Sequence, residues 1–219
     1  MGDVILHDIH THTTYSDGGG EPIENIEAAE MRGLAMLGIS DHVHYLTGRK
    51  GNRYLSELEE LKRETDVTLL IGVEANAMPG GSDVPSEMRK RLDYVISSVH
   101  EFVSSPEEYL ALVRDSLTDE KVDVIGHFGI SFPSVGWPSW EELVEVIKLA
   151  EENGKAFEIS GWYKVPELDF IRECVKRGVQ LSFGSDAHRP DRVGDVSWSM
   201  KMFRKAGGKE EDLFVSRFI

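Results

Sequence analysis

Histidines and acidic residues recur in this chain in types and spacings that suit metal binding. They are Asp8, His10, His12, Asp17, Asp41, His42, Glu74, His100, His127, Asp186 and His188. Alternate side chains of an extended segment share a face, so His10 and His12 point the same way, as do Asp186 and His188. His7 has the opposite parity, and we expect it to face the surrounding helices or solvent.

The chemistry of this set points to several metal ions. Imidazoles and carboxylates together suit zinc, manganese or iron, and the lack of a cysteine ligand argues against a closed structural zinc site. Nine residues qualify as ligands, namely His10, His12, Asp17, His42, Glu74, His100, His127, Asp186 and His188. Because nine ligands are too many for one tetrahedral ion, we expect two or three divalent ions. Asp8 is expected to orient a ligand imidazole through the other ring nitrogen.

Apolar runs alternate with amphipathic stretches along the chain. The apolar runs predict seven strands, at residues 4–9, 34–40, 67–74, 92–99, 122–126, 156–160 and 179–184. Helices are predicted at 21–33, 54–64, 106–117, 139–153, 165–177 and 196–205, with a short helical segment near Glu87. Continuous apolar strands and repeated strand-helix alternation predict a parallel α/β barrel. A doubly wound sheet is the alternative, but no glycine-rich dinucleotide motif follows the first strand.

The metal-type residues lie where such a barrel carries out its chemistry. Active sites of α/β barrels are built at the C-terminal ends of the strands. The predicted strands end at or just before His10 and His12, Asp41 and His42, Glu74, His100, His127, and Asp186 and His188, and the sixth strand carries Glu158 near its end. A single histidine is a weak signal, but this combination predicts one polynuclear metal site.

The overall composition and net charge disfavour some classes of binding partner. The chain has 219 residues, 40% of them hydrophobic, and 24 basic against 39 acidic residues give a net charge of −15. That charge disfavours nucleic acid and anionic membrane as partners. The single cysteine, Cys174, excludes an internal disulfide and is expected to face the core. With no secretory signal pattern and no long apolar run, a cytoplasmic location is expected.

The order of these motifs resembles the PHP (polymerase and histidinol phosphatase) family over nearly the whole chain. The resemblance implies a distorted seven-stranded parallel (β/α)7 barrel, with residues 1–219 as a single domain, and a trinuclear metal centre. It places the first ion on His10, His12, Glu74 and Asp186, the second on Glu74, His100 and His127, and the third on Asp17, His42 and His188. Some members have a histidine in place of Asp17, which leaves the identity of the third ion open.

Phosphoester hydrolysis is the chemistry that this arrangement favours. We expect a metal-bridging hydroxide to attack a small-molecule phosphomonoester, such as histidinol phosphate or a nucleotide or sugar phosphate. One alternative is a nuclease acting on single-stranded ends, and another is a non-catalytic, metal-binding regulatory domain. The amidohydrolase and TatD-like barrels also open with His-x-His, but they typically have eight strands and lack a counterpart of Asp41-His42.

Basic and aromatic residues in the predicted loops are candidates for substrate binding. The strongest are Arg189, which follows His188 directly, Arg49 after the second strand, and His44. Arginine suits a phosphate group because its planar fork bonds two oxygens at once. The remaining candidates are Lys50, Arg53, Lys164 and Arg192, with Tyr45, Trp137 and Trp162 as possible walls of a leaving-group pocket.

Overall fold

Seven parallel strands form a nearly closed barrel in the computed structural model, which describes residues 4–219. The seven barrel strands are β1 (His7–Asp8), β2 (Met36–Ile39), β3 (Thr68–Met78), β5 (Tyr94–Ser98), β6 (Val124–Ile125), β7 (Ala156–Ser160) and β8 (Leu181–Gly184), and an eighth strand, β4 (Gly81–Ser82), does not belong to this series. Neighbouring barrel strands follow the order β1-β2-β3-β5-β6-β7-β8, while β4 pairs antiparallel with the end of β3. The predicted seven-stranded parallel barrel is confirmed.

Helices follow the strands and cover the barrel. They are α1 (Pro22–Met31), α2 (Arg49–Leu61), α3 (Ser86–Arg89), α4 (Pro106–Thr118), α5 (Phe132–Val135), α6 (Trp140–Asn153), α7 (Leu168–Arg177) and α8 (Ser197–Ala206). Short 3-10 turns lie at Val43–Tyr45, Pro190–Arg192, Glu210–Asp212 and Phe214–Phe218. Every residue of β2, β5, β7 and β8 is buried, as expected for parallel strands covered on both faces. Cys174 on α7 is fully buried, as predicted.

The barrel interior is filled by side chains. Tyr94 of β5 is fully buried, and its hydroxyl donates a hydrogen bond to the backbone oxygen of Ile9, 2.5 Å away. A β-carbon at Gly38 or Gly72 would come within 2.3 Å of this tyrosine. Glycine at these two strand positions therefore makes room for the ring that crosses the barrel.

His7 completes the junction between β1 and β8. Its Nδ1 donates to the Ile5 oxygen at 2.8 Å, and its Nε2 accepts the backbone N–H of Phe183 at 2.9 Å. The ring is fully buried and stacks on Phe183 with centroids 4.4 Å apart. Strand β1 pairs with β2 over two residues only, which is shorter than the predicted strand 4–9.

We expect His7 to make stability pH-dependent. Burial lowers the pKa of its imidazole from 6.5 to about 4, against the opposing hydrogen bond to Ile5. The unfolded chain then binds more protons as the pH falls from 6.5 towards 4, so stability present above pH 6.5 is lost through that window. By pH 5 the loss should be on the order of 2 kcal/mol. Urea unfolding of wild type and His7→Gln at pH 7.5 and pH 5 measures it.

The difference in unfolding free energy between wild type and His7→Gln should shrink by that amount between the two pH values. His44→Gln, the same change at an exposed histidine, is the control for the substitution itself. An equal pH dependence for wild type and His7→Gln would contradict the role given to the buried imidazole.

Two element boundaries differ from those predicted in a way that matters for the site. Strand β3 continues past Glu74 to Met78 and turns back through β4, because Asp83 accepts hydrogen bonds from the backbone and side-chain nitrogens of Asn76 at 2.8 and 2.7 Å. Helix α2 begins at Arg49 rather than residue 54, directly after Gly48 with a φ of 57°. Only glycine adopts that conformation readily, so Gly48 allows the sharp turn at which the loop ends and the helix begins. Among residues 4–219, no helix has the length and apolar character to span a membrane.

Candidate metal centre

The nine residues predicted as ligands lie together at the C-terminal end of the barrel. His10, His12 and Asp17 follow β1, His42 follows β2, Glu74 lies within β3, His100 follows β5, His127 follows β6, and Asp186 and His188 follow β8. Parallel bridges join Thr11 to Ala187 and His42 to Glu74. These bridges hold the loop starts in register, so the side chains converge on one place.

Glu74 lies in the middle of this group. Its carboxylate is almost fully buried, and its Oε1 is 3.1 Å from His100 Nε2, 3.2 Å from His127 Nε2 and 3.3 Å from His10 Nε2. Its Oε2 is 2.9 Å from His42 Nδ1. One carboxylate therefore faces imidazoles from four other strands, which is the arrangement of a bridging ligand.

Asp186 and Asp17 link the remaining histidines. Asp186 Oδ1 is 3.1 Å from His12 Nε2 and 3.6 Å from His188 Nδ1. Asp17 Oδ1 is 3.3 Å from His188 Nε2 and 3.6 Å from His42 Nε2. The Asp17 side of the site is more open, since Asp17 and His188 are each 40% exposed while His12 is fully buried.

The donor atoms fit divalent ions. Three groups have ligand atoms within 4.8 Å of one another: His12, Asp17, His42 and His188; His10, His12 and Asp186; and His42, Glu74 and His100. Within residues 4–219, the buried His10 Nε2 and His42 Nδ1 make no hydrogen bond of good geometry, although each lies within 3.3 Å of a Glu74 carboxylate oxygen. A buried ring nitrogen without a partner is costly, and a metal ion would satisfy it. His127 lies beside Glu74 but outside the three tight groups.

Opposite charges are held close together in the centre. Burial would raise the pKa of Glu74, but the charge of His10 and hydrogen bonds from neighbouring imidazoles outweigh it and hold that pKa well below its usual value. Burial would likewise raise the pKa of Asp186, but the charge of His10 and the hydrogen bond from His12 outweigh it and lower that pKa. Both carboxylates therefore stay ionised, and their negative field attracts cations.

Two non-glycine residues of the centre have strained backbones. His127 has a φ of 27° and Asp186 a φ of 53°, in the left-handed region that most side chains avoid. Such conformations cost on the order of 1–3 kcal/mol each and persist where surrounding contacts hold them. Among residues 4–219, only Lys164 shares this feature outside glycine. The strain is thus concentrated where side chains must aim into the site.

Asp41 anchors the loop that carries Asp17. Its buried carboxylate accepts hydrogen bonds from Thr13 N at 2.8 Å, Thr13 Oγ1 at 2.7 Å and Ser16 Oγ at 2.6 Å. A β-carbon at Gly18 would lie 2.5 Å from the backbone oxygen of His12, so only glycine lets the loop fold back. The position of Asp17 therefore depends on Asp41, whose carboxylate binds the loop through Thr13 and Ser16.

Asn76 is a site residue that the sequence did not reveal. Its Oδ1 accepts a hydrogen bond from His100 Nδ1 at 2.9 Å, which directs His100 Nε2 towards Glu74. Asp83 on the returning hairpin holds the Asn76 amide in turn. The signal was hidden because the predicted third strand ends at Glu74, whereas β3 continues and its period of two puts Asn76 on the same face as Glu74.

The role expected of Asp8 belongs to Glu158. Asp8 accepts hydrogen bonds from the backbone nitrogens of Ser185 and Gly194, at 2.9 and 2.7 Å, and from the Ser185 hydroxyl. It therefore ties β1 to β8, and within residues 4–219 it makes no hydrogen bond to an imidazole of the centre. Glu158 Oε1 instead lies 2.9 Å from His10 Nδ1. The prediction for Asp8 was wrong because its neighbour across the barrel seam supplies closer donors than the rings do.

The candidate substrate-binding residues are only partly brought to the centre. Arg189 lines a cleft that adjoins the metal-type residues and is shared with Trp162, Tyr163, His188 and Arg192. Its guanidinium pairs with Asp191 at 2.9 Å and is 73% exposed. Arg192 lies 4.7 Å from the centroid of the Trp162 ring. This cleft opens beside His188 and Asp186.

His44 and Arg49 have different surroundings. His44 is exposed at the rim, its ring 5.3 Å from that of His42. Arg49 is exposed in the first turn of α2 and does not line the clefts that the described residues form around the centre. The structure gives no support to Arg49 as a substrate ligand, because the early start of α2 places it on a helix rather than in the loop. Trp137 lines a separate aromatic pocket with Phe132 and Phe170.

Comparison with known proteins decides the family. The family model described as PHP domain matches residues 8–161. A probable phosphatase of Acetivibrio thermocellus is 33% identical in an alignment that covers 85% of this chain and 81% of the relative. The chain belongs to the PHP family. A probable phosphatase of a Thermoanaerobacter species, 30% identical over 94% of this chain and 89% of its own length, is a further relative.

Solved structures agree on the PHP fold. Histidinol phosphate phosphatase from Lactococcus lactis, in complex with zinc, L-histidinol and phosphate, superimposes with a TM-score of 0.74 at 21% identity, covering 94% of this chain and 95% of that one. Family membership and phosphatase relatives confirm the predicted enzyme class, a metal-dependent phosphoesterase.

Proposed function

We propose that the chain hydrolyses a small-molecule phosphomonoester with two or three divalent ions held at the C-terminal end of the barrel. The observation that carries the proposal is the convergence on Glu74, whose two carboxylate oxygens lie within 3.3 Å of imidazoles from four other strands. Zinc, manganese and iron are the ions that such a mixture of imidazole and carboxylate prefers.

The proposed ligand set is the one expected from the sequence. One ion would be held by His10, His12, Asp186 and Glu74. A second would be held by His100, His127 and the same Glu74. A third would be held by Asp17, His42 and His188. Bound ions there would supply the positive charge and Lewis acidity that the transfer of a phosphoryl group to water needs. Glu74, Asp186 and Asp17 hold the imidazoles close before any ion arrives.

The cleft beside the centre favours a small substrate. Arg189 and Arg192 lie next to His188, each paired to an aspartate, Asp191 or Asp195, at 2.9 and 3.2 Å. Exposed ion pairs are weak, so a phosphate or another anionic group of the substrate can take the place of an aspartate. Trp162 provides a flat apolar wall for the leaving group.

Elemental analysis combined with a phosphatase panel tests the proposed function. Protein purified with added zinc, manganese or iron should contain two to three ions per chain and release phosphate from at least one of histidinol phosphate, nucleoside monophosphates and sugar phosphates. His100→Ala should lose metal and activity. A protein that holds these ions yet acts on no phosphomonoester would refute it, and release of mononucleotides from single-stranded DNA alone would establish the nuclease alternative.

Arg189 should affect substrate binding more than turnover. Because its guanidinium is exposed and faces the cleft, Arg189→Ala should raise KM about tenfold, which is the loss of one charge-assisted hydrogen bond. The value of kcat should stay within about twofold. Steady-state kinetics on the best substrate of the panel measures both constants. Arg49→Ala is the matched control, and equal effects of the two variants would contradict a specific role for Arg189.

A further inference from the structure

Glu158 contacts two of the proposed ligands, which follow two different strands on either side of its own. It lies in the middle of β7 and is fully buried. Its Oε1 is 2.9 Å from His10 Nδ1, and its Oε2 accepts the backbone N–H of His127 at 2.5 Å. Each carboxylate oxygen thus has one donor, and the two donors belong to different strands.

The barrel makes room for this carboxylate. Glu158 pairs in register with Ser182 of β8, and the next inward position on that strand is Gly184. A β-carbon at Gly184 would lie 1.8 Å from Glu158 Oε1 and 2.7 Å from the β-carbon of His10. Only glycine there lets the carboxylate and the imidazole meet, so the contact is built into the packing of β1, β7 and β8.

The contact fixes which nitrogen of His10 carries the proton. A carboxylate accepts hydrogen bonds and donates none, so His10 Nδ1 must be the protonated nitrogen. The lone pair of a neutral ring then lies on Nε2, which points to Glu74 Oε1 at 3.3 Å and has no hydrogen-bond partner among the described residues. A metal ligand needs that free lone pair.

The second contact acts on a strained residue. His127 has a φ of 27°, which its side chain disfavours. Its backbone N–H is buried, and Glu158 is the acceptor that it finds there. This bond holds the backbone in the conformation that brings His127 Nε2 to within 3.2 Å of Glu74 Oε1.

We infer that Glu158 is a positioning residue that prepares His10 and His127 together, and so couples the two ions that Glu74 would bridge. The inference rests on the proposed metal-binding role of these histidines. Glu158 itself touches neither Asp17 nor His188, so the third group of ligands lies outside its reach.

Glu158→Gln tests this with almost no change of volume. The amide has one oxygen and one NH2 group, whereas both neighbours are donors. With its oxygen towards His127 N, the NH2 group donates to His10 Nδ1 and moves the ring proton to Nε2, where it blocks the lone pair. In the other orientation, the buried N–H of His127 loses its acceptor. Either orientation should weaken metal affinity about 10- to 100-fold, as outer partners of metal ligands do.

The measurements are zinc stoichiometry by elemental analysis, zinc affinity by competition with a chromophoric chelator, and the ring protonation of His10 by 15N NMR of the zinc-loaded protein. Wild type should show His10 protonated at Nδ1 and bound through Nε2. Glu158→Gln should lose affinity at the sites that share Glu74, while zinc still binds at the Asp17 group. Ser182→Ala is the matched control, because Ser182 is the buried register partner of Glu158 and its hydroxyl has no partner among residues 4–219.

Each outcome separates the inference from the proposed function. A wild type that binds none of zinc, manganese and iron would refute the proposed metal centre itself. A wild type that binds zinc, with a Glu158→Gln variant of unchanged affinity, overturns the role of Glu158 alone. Should that variant fail to fold, the NMR spectrum of wild type still decides, since coordination of zinc through His10 Nδ1 would rule out the contact with Glu158.

Discussion

Glu74→Gln should reduce kcat/KM by at least about 100-fold, because even partners outside a ligand set cost 10- to 100-fold when removed. Glutamine is nearly isosteric but carries no charge, and only one of its two terminal atoms can accept or bind a cation. In the present chain both carboxylate oxygens face imidazoles, three on Oε1 and two, those of His12 and His42, on Oε2. One substitution would therefore disturb every ion that Glu74 is proposed to hold. Kinetics and metal content of the same preparation should fall together.

Glu60→Gln is the control for Glu74→Gln. Glu60 is exposed on α2, so the change removes one negative charge from the chain without touching the centre, and activity should stay within about twofold. A Glu74→Gln variant with normal metal content and normal rates would show that the carboxylate is structural. Loss of activity with all metal retained would instead place Glu74 in the chemistry but not in metal binding.

Strand periodicity explains why so much of the centre was predictable. Parallel barrel strands all present their C-terminal ends to one face, so polar residues at those ends must meet whatever the detailed register. The sequence needed only to locate each strand end, and His10, His127 and Asp186 could be placed to within one or two residues. Parity then separated His10 from His7, which the structure puts in a purely structural role between β1 and β8.

Contacts between strands lay beyond that reasoning. Asp8 and Glu158 are both buried acids on barrel strands, and parity alone places Asp8 on the His10 face. Which of them reaches the His10 ring depends on side-chain length and on what the neighbouring strand offers. Backbone N–H groups at the start of the loop after β8 take up Asp8, while Gly184 leaves a space that only the longer side chain of Glu158 fills. Neither contact can be predicted from the sequence of one strand, because each joins residues of different strands.

Loop residues were the least predictable part. Arg49 was expected beside the second strand because no apolar period marks the first turn of α2, and the positive φ of Gly48 that starts the helix is a feature of three-dimensional structure. Asn76 was missed because the predicted strand was too short. The hairpin that extends the strand depends on hydrogen bonds from Asn76 to Asp83, seven residues later. Substrate-contacting groups lie on such segments, which is why family membership is clearer than the identity of the substrate.

Chelation should remove the ions in two stages. Asp17 and His188 are each 40% exposed and His42 13%, whereas among the proposed ligands of the other two ions His10 and His12 are fully buried, Glu74 and His127 are 1% and 3% exposed, and His100, at 30%, is the most open. A weak chelator should therefore take the ion of the Asp17 group first and leave the buried pair until much higher concentrations. Complete removal of the ions should abolish turnover, because the side chains of the centre alone do not supply the positive charge that divalent ions bring to the phosphoryl group.

The second stage should also lower the melting temperature. A ligand present at 1,000 times its Kd stabilises the folded state by about 4 kcal/mol, and each 1 kcal/mol is worth about 2–4 °C in a chain of this length. Stripping the buried ions should thus cost on the order of 10 °C, and adding zinc or manganese back should restore it. Metal content, activity and thermal unfolding are followed on the same chelator series. Asp17→Asn should abolish only the first stage, and loss of all ions in one step from wild type would contradict the difference in exposure between the two halves of the centre.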